Sequence, residues 1–574
     1  MREITKALRG HYVKMTIAPL CKLIEAIFEL MVPLVVAGII NVGIATGDFG
    51  FILWRGAWLL GLALLGIIFS VAGQYFAAEA AAQVGRTLRA RLLGHVMALS
   101  HEQAGRFGAG RLINLVTGDV AQFQNGLNRL IRLGARVPFL AIGGVVMALI
   151  LNPAIGLIFL GSTLLLSLTL YLIIRHLLPA YGRIQAEQDD LSRLTRENLT
   201  GARVIRAFHR QKTEEADFDR AAEDLARHTV RVGRIAALLN PVSSLLINFA
   251  IFATLWLGAR HVYQDLSNPG ELVALVSYMT TTLLAIAVAV FLVIICTQAM
   301  ASAKRIEAVL GTKPSIVDGD GAVPQAHAPA LRFEGVSFTY HQSARPALAD
   351  ISFTLRAGET LGVIGGTGSG KSTLAGLILR FMDPQRGTVR IGGAPAPDYT
   401  LRDLRSRIGY APQKASLFSG TVAENLRMSA PDATDAALWE ALEIAQAADF
   451  VREMPHGLDS VIEQGGLNLS GGQRQRLGIA QTLVRKPCIL VLDDSFSALD
   501  YLTDRALGQA LTAWASDTAM VLISQRAASI RHADQILVLR DGQAAGLGTH
   551  GELLASCTVY QEICRSQGLE GQVD

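Results

Sequence analysis

The chain has 574 residues, of which 51 % are hydrophobic and only 17 % charged, against roughly 25 % charged in an ordinary soluble domain, and its mean hydropathy is +0.36. That balance excludes a disordered chain and argues for contact with lipid. The 52 basic and 48 acidic residues nearly cancel to +4, which gives no reason to expect a nucleic-acid partner.

In chain order, a basic start, MREITKALRGHYVKM, precedes an apolar run at 17–40. At about 1.5 Å per residue such a run crosses about 30 Å of hydrocarbon with some tilt. No small-residue cleavage site ends it, so it reads as a retained span and not a signal peptide. Five further runs pass the same test: 56–76, 137–151 with a few residues before it, 153–174, 241–258 and 272–300. Six spans put both chain ends on one side. The connection at 175–234 carries twelve Lys/Arg and that at 86–132 carries seven, whereas the short connections offer little beyond Arg55 and Arg260. Basic loops stay cytoplasmic, so both termini are expected there. The long loops keep helical periodicity in RTLRARLLGHVMAL and RENLTGARVIRAFHRQKTEEADF, which predicts helices that continue past the bilayer. In the first span Glu25 and Glu29 lie four apart on one helix face. Two readings stand for them: a cavity site attracting a cationic or amphipathic substrate, or hydrogen bonding to neighbouring helices. Asn240, Asn248 and Gln298 are expected to bond between helices.

Composition shifts after Arg305. The stretch 311–330, GTKPSIVDGDGAVPQAHAPA, has no periodicity and reads as a linker. The expected division is therefore 1–310, an all-α six-helix membrane domain with two long cytoplasmic loops, and 331–574, an α/β domain. In the latter, short β-branched runs (TLGVIG, TVRIGG, CILVLDD, AMVLIS, QILVLR) alternate with helical segments, which predicts a mostly parallel sheet flanked by helices. Cys21, Cys296, Cys488, Cys557 and Cys564 are scattered, without a C-x-x-C pair or a nearby His cluster, and read as small reduced core residues.

Three motifs in the second half carry chemistry. GGTGSGKST, comprising Gly365, Gly366, Thr367, Gly368, Ser369, Gly370, Lys371, Ser372 and Thr373, matches G-x-x-x-x-G-K-[ST] between a predicted strand at 361–364 and a predicted helix from Leu374. The glycines let consecutive backbone N–H groups wrap a β-phosphate at a helix N-terminus, Lys371 neutralises β/γ oxygens, and the Ser372 hydroxyl ligates magnesium. The apolar run at 489–492 ends in Asp493, a carboxylate delivered beside the phosphates to hold magnesium directly or through water. Between them lies LNLSGGQRQR, whose Ser470, Gly471, Gly472 and Gln473 form another phosphate-sized set at a helix start.

With these motifs the sequence resembles the ATP-binding cassette (ABC) transporters, and within them the half-transporter exporters, which fuse one six-helix membrane domain to one P-loop nucleotide-binding domain. The resemblance covers nearly the whole chain and implies ATP and Mg2+ as cofactors. It implies that Tyr340 in FEGVSFTY stacks on adenine, that Gln413 in YAPQKASLFSGTVAENL senses magnesium and contacts the membrane domain, and that SALD at 497–500 links two sites. RFGAGRLINLVTGDV around Gly110 and Asp119, and ENLTGARVIRAF around Gly201 and Phe208, resemble the family's two cytoplasmic coupling regions. A dimer is implied, each ATP being clamped between the phosphate loop of one subunit and the signature, here Ser470 to Gln473, of the other.

Two residues depart from the family pattern. Where a glutamate polarises the attacking water, this chain has Asp494, one methylene shorter; where a switch histidine is expected, it has Gln525, whose amide hydrogen-bonds a γ-phosphate but carries no charge near neutral pH. With the signature intact, the expectation is an asymmetric heterodimer in the bacterial cytoplasmic membrane, exporting small amphipathic or drug-like molecules. In it this chain's own site hydrolyses slowly, while its signature completes the partner half-transporter's active site. The alternatives are a homodimeric exporter of lipid or peptide, in which both departures are tolerated, and an ATP-gated channel or regulator.

Overall fold

The computed structural model describes residues 2–264, 267–325, 327–341 and 343–568, apart from the side chains of Leu178 and Asn240. The chain divides into two compact units, Met1–Met97 with Ala109–Thr312 and Ala98–Gly108 with Lys313–Asp574.

Among its described residues the first unit holds six helices long and apolar enough to cross a membrane: Arg2–Ile44, Phe49–Ala98, Ala109–Leu151, Pro153–Thr200, Gln211–Tyr263 and Pro269–Leu310. Each exceeds the roughly 20 residues that a bilayer requires; in the fourth, the helix runs on from the apolar part through Pro179 into the charged periodic segment. The turn between the third and fourth spans follows from its sequence: the Asn152 side chain accepts a hydrogen bond from the Ile155 N–H (3.2 Å) and Pro153 opens the next helix. The periodic run RENLTGARVIRAFHRQ is not continuous helix. It breaks at Gly201, forms the short helix Ala202–Ala207, and turns again at His209, with φ of 54°, before the fifth span.

Small residues bring the helices close, as expected where lipid competes for apolar contact. A Cβ on Gly144 would lie 2.1 Å from Thr282 Oγ1, and one on Gly126 would lie 2.3 Å from Ala299 Cβ, so the third and sixth spans touch at both glycines. Buried Tyr278 donates its hydroxyl to the Leu30 carbonyl (2.6 Å), tying the sixth span to the first. Large apolar side chains such as Trp54, Leu60, Phe249 and Trp256 remain exposed. Of the amides expected to bond between helices, Gln298 accepts from Gln122 of the third span (3.4 Å), whereas Asn248 caps the Ser244 carbonyl of its own helix (2.8 Å), a local bond one turn away. The Asn240 side chain lies outside the described residues.

The described residues of the second unit form three sheets. Six strands run in the order β12-β11-β3-β10-β9-β6, with β3 Thr360–Gly365, β6 Ile408–Ala411, β9 Ile489–Asp493, β10 Ala519–Ile523, β11 Gln535–Arg540 and β12 Gln543–Gly548. All neighbours are parallel except β11 and β12. A four-stranded antiparallel sheet, β2-β1-β4-β5, is built from β1 Leu331–Phe338, β2 Leu348–Leu355, β4 Arg386–Ile391 and β5 Ala394–Pro395. TVRIGG thus supplies β4 of this second sheet and not a strand of the parallel one. A short pair, β7 Gly420–Thr421 with β8 Val461–Ile462, completes the set. Cys557 and Cys564 are buried, while Cys488, at the solvent-facing entry to β9, is exposed and is no core residue.

Candidate nucleotide site

Strands β3, β9 and β10 are adjacent and buried apart from the partly exposed Thr360, and all three end on one edge of the parallel sheet. Their C-terminal ends deliver the phosphate loop, Asp493 with Asp494, and Gln525 to one place, which is where open parallel sheets bind ligands. A cleft of about 590 Å³ there is lined by Tyr340, Thr367, Gly368, Ser369, Gly370, Lys371, Ser372, Thr373, Gln413, Asp493, Asp494 and Gln525.

The loop needs its glycines for geometry. Gly370 sits at φ of 103°, and a Cβ there would meet the Ala347 carbonyl at 2.4 Å; one on Gly365 would meet the Leu539 carbonyl at 2.2 Å. Gly366 and Gly368 face open space, leaving room for a ligand against the backbone. The helix Lys371–Ile378 follows, with its first N–H groups aimed back into the loop. Lys371 donates from Nζ to the carbonyls of Gly365 and Gly366, both at 2.8 Å. Burial pushes its ammonium below the ordinary value, opposed by the charges of Asp494 and Asp493. The Ser369 hydroxyl is buried without a hydrogen-bond partner among the described residues. Exposed loop N–H groups, a lysine and an orphaned hydroxyl together fit a polyphosphate.

The carboxylates differ in role. Burial and the neighbouring Asp494 charge hold Asp493 above the usual carboxylate range, against hydrogen bonds from Ser372 and Tyr410. The Tyr410 hydroxyl donates to Asp493 Oδ2 (3.5 Å), and burial with the Asp493 charge pushes it up to about 12. Asp494 adopts φ of 50°, a left-handed conformation that costs a non-glycine residue roughly 1–3 kcal/mol. Its Oδ2 accepts from Gln413 Nε2 at 3.0 Å. The oxygens of Ser372, Gln413 and Asp493 are the hard donors that suit magnesium.

The signature residues do not line this cleft. Ser470 caps the helix Gly471–Leu483: its Oγ accepts from the Gln473 N–H (3.2 Å), and Gln473 Oε1 accepts from the Ser470 N–H (2.9 Å). S-x-x-Q is a capping box, so these residues also build the helix they decorate. Gly471 instead borders a second groove of about 1030 Å³, with Gln413, Lys414, Leu417, Phe418 and Leu467. Sequence reasoning missed the buried Gln475. Its Oε1 accepts from the Ala498 N–H (3.1 Å) and its Nε2 donates to the Gln413 carbonyl (3.3 Å), joining the signature helix, the SALD loop and the Gln413 segment. Its repeat in GGQRQR, one turn into a buried helix face, was the available signal.

Of the two segments expected to couple the units, the first places Asp119 buried in the first unit, where it accepts from Arg305 Nε (3.0 Å) and Ser302 Oγ (3.0 Å). Gly110 faces open space, and Phe208 is exposed beside Gly201. In the second unit, Ser100 caps the helix His101–Phe107, and the His101 ring stacks on Phe381, three residues past the phosphate-loop helix. Glu25 and Glu29 are matched by two cations: Lys22 pairs with Glu25 (2.6 Å) and also donates to Ser70 (2.9 Å), while Arg136 pairs with Glu29 (2.7 Å).

A six-helix membrane unit and a nucleotide cleft on the edge of a parallel sheet define an ATP-driven membrane transporter. Residues 15–286 match the family described as ABC transporter transmembrane region, and residues 348–497 that described as ABC transporter. The chain is 36 % identical over 557 residues to an uncharacterised ABC transporter ATP-binding protein of Mycobacterium tuberculosis, covering 96 % of this chain and 95 % of that one. It is 30 % identical over 532 residues to the ATP-dependent lipid A-core flippase of Chromohalobacter salexigens, covering 92 % and 91 %. In fold it is similar to a bacterial Atm1-family ABC exporter solved with ATP bound, with a TM-score of 0.80 at 24 % identity over 98 % and 99 % of the two chains. The chain belongs to the ABC transporter family, and it is an integral membrane, ATP-hydrolysing transporter.

Proposed function

We propose that this chain is the slow-site subunit of a heterodimeric exporter in a bacterial cytoplasmic membrane, with both termini and the nucleotide unit in the cytoplasm. The observation that carries this reading is the pairing of Asp494 with Gln413 at 3.0 Å. The shorter carboxylate is drawn onto the amide and held in a left-handed backbone. Setting a catalytic group back by about 1 Å costs up to roughly 100-fold in rate, and the uncharged Gln525 adds no compensating charge. The exporter direction is supported by the likeness in fold to an ABC exporter.

Within the cleft the loop N–H groups and Lys371 hold the phosphates, Tyr340 faces the base, and Ser372, Gln413 and Asp493 would hold Mg2+. When bound, the metal supplies charge neutralisation on the β/γ oxygens. ATP binding joins this phosphate loop to the partner's signature, and this chain's signature to the partner's loop. The groove beside Gln413 receives the partner's short coupling helix, the counterpart of Ala202–Ala207 with its exposed Val204 and Phe208. Closure then biases the helices outward. Because Glu25 and Glu29 are already charge-matched by Lys22 and Arg136, selection of cations is weak, and an amphipathic, lipid-like or drug-like molecule is the substrate class. The similarity to a lipid A-core flippase supports the amphipathic part.

The test is ATP turnover of the purified chain alone and with its partner half-transporter. The pair is expected to exceed the isolated chain at least about tenfold; brisk turnover by the chain alone, lost in Asp494→Asn, removes the unequal pair.

A further inference from the structure

The loop that carries Gln525 into the cleft is held from outside the cleft by one side chain. Gln567 Nε2 donates to the Gln525 carbonyl (2.8 Å), and Gln567 Oε1 accepts from the Ala527 N–H (2.8 Å). A single amide therefore bridges the loop on both sides of Arg526, as a neighbouring strand would. Gln567 follows the helix Thr558–Ser566, and its own N–H bonds to the Cys564 carbonyl (3.1 Å). That helix is firmly seated: Tyr560 and Cys564 are buried, and the Tyr560 hydroxyl meets the His550 ring at 2.8 Å. The loop's other restraints are local or longer: Arg526 N–H to Ser524 Oγ (2.9 Å), Ser529 N–H to the Arg526 carbonyl (3.3 Å), and the Arg526 guanidinium to the Ser497 carbonyl (3.3 Å) and to Asp504 (4.0 Å).

We propose that Gln567 is a positioning residue for the terminal-phosphate contact: it fixes the Gln525 backbone so that its amide reaches a γ-phosphate, which makes the C-terminal helix part of the ATP-over-ADP preference. A charged side chain is drawn to phosphate from a distance, whereas a neutral amide gains only through a well-placed hydrogen bond. The backbone clamp matters more for that reason. The inference rests on the reading of Gln525 as a γ-phosphate ligand.

The test is equilibrium binding of ATP and of ADP, each with Mg2+, to the full chain in lipid nanodiscs. Gln567→Ala is expected to weaken ATP about three- to tenfold, the size of one lost, partly solvated hydrogen bond, and to leave ADP unchanged. Gln567→Asn, too short to span the loop, does not rescue. Where Gln567→Ala does not fold, Gln567→Glu replaces it: nearly isosteric, it sets a carboxylate against the Gln525 carbonyl and lowers ATP affinity selectively. In a Gln525→Ala background, Gln567→Ala adds nothing. An unchanged ATP/ADP ratio, or equal loss of both nucleotides, overturns the proposal. If Gln525→Ala itself keeps the ATP preference, the reading of Gln525 fails first and the proposal falls with it.

Discussion

Asp493 shows how a binding group strains the fold that carries it. The residue is 5 % exposed, and burial together with the Asp494 charge disfavours its ionised form. With the folded value raised above the ordinary 3.8, the stability it contributes is fully present below that value and is lost as pH rises through the folded one. At neutral pH the nucleotide-free protein therefore carries an unfavourable buried charge. Asp493→Asn is expected to raise the thermal midpoint of the nucleotide-free chain at neutral pH, with a gain that shrinks on acidification, while Mg2+-dependent ATP binding is lost. A midpoint that falls equally at all pH values contradicts this. The placement of this residue was legible in sequence, because an apolar run ending in a carboxylate predicts a buried strand with that group at its end. Gln475 and Gln567 were not legible: a polar side chain that bridges two loops is recognisable only once the fold has set those loops beside it.

At the scale of elements, apolar length alone gave the six spans, and short β-branched runs gave most of the parallel strands. What sequence concealed were the interruptions. Gly201 ends a helix that periodicity alone would continue, and TVRIGG joins an antiparallel sheet because its partner is β1, a pairing with no local signature. The third span widens into a π-helical turn at Leu115–Asp119, and Asp119 there pairs with Arg305 near the end of the sixth span. Asp119 is 6 % exposed and Arg305 44 %. Arg305→Ala leaves a buried carboxylate unpaired and is expected to destabilise the membrane unit by about 2 kcal/mol, less than for a fully buried pair because the guanidinium is partly solvated. Adding Asp119→Ala should recover part of that loss, since the uncompensated charge goes with it. Thermal melting of the full chain in detergent checks both; a double variant that melts lower by the sum of the single effects would show the two residues to be uncoupled.

At the scale of the whole molecule, the proposed pairing has each chain contribute to two reactions. Asp494 and Gln525 line its own cleft, whereas Ser470 and Gly471 lie outside that cleft at the head of another helix. In an unequal pair these contributions fall on different sites, so substitutions in one chain separate them. Asp494→Asn in this chain is expected to leave the pair's turnover within about twofold, because its own site already contributes little. Ser470→Ala removes a donor from the partner's competent site and is expected to cost roughly 10- to 100-fold, the scale of a lost transition-state hydrogen bond in a dry site. The alanine also loses the helix cap, worth about 1 kcal/mol; Ser470→Asp keeps the cap while repelling phosphate, and a like loss in that variant assigns the effect to the nucleotide. In a symmetric homodimer both substitutions strike every site, and Asp494→Asn would be as damaging as Ser470→Ala. Steady-state ATPase of the reconstituted pair, one altered chain at a time, distinguishes the two architectures: parallel losses mean equal sites, and a tolerated Asp494→Asn beside a crippling Ser470→Ala means that this chain chiefly lends its signature.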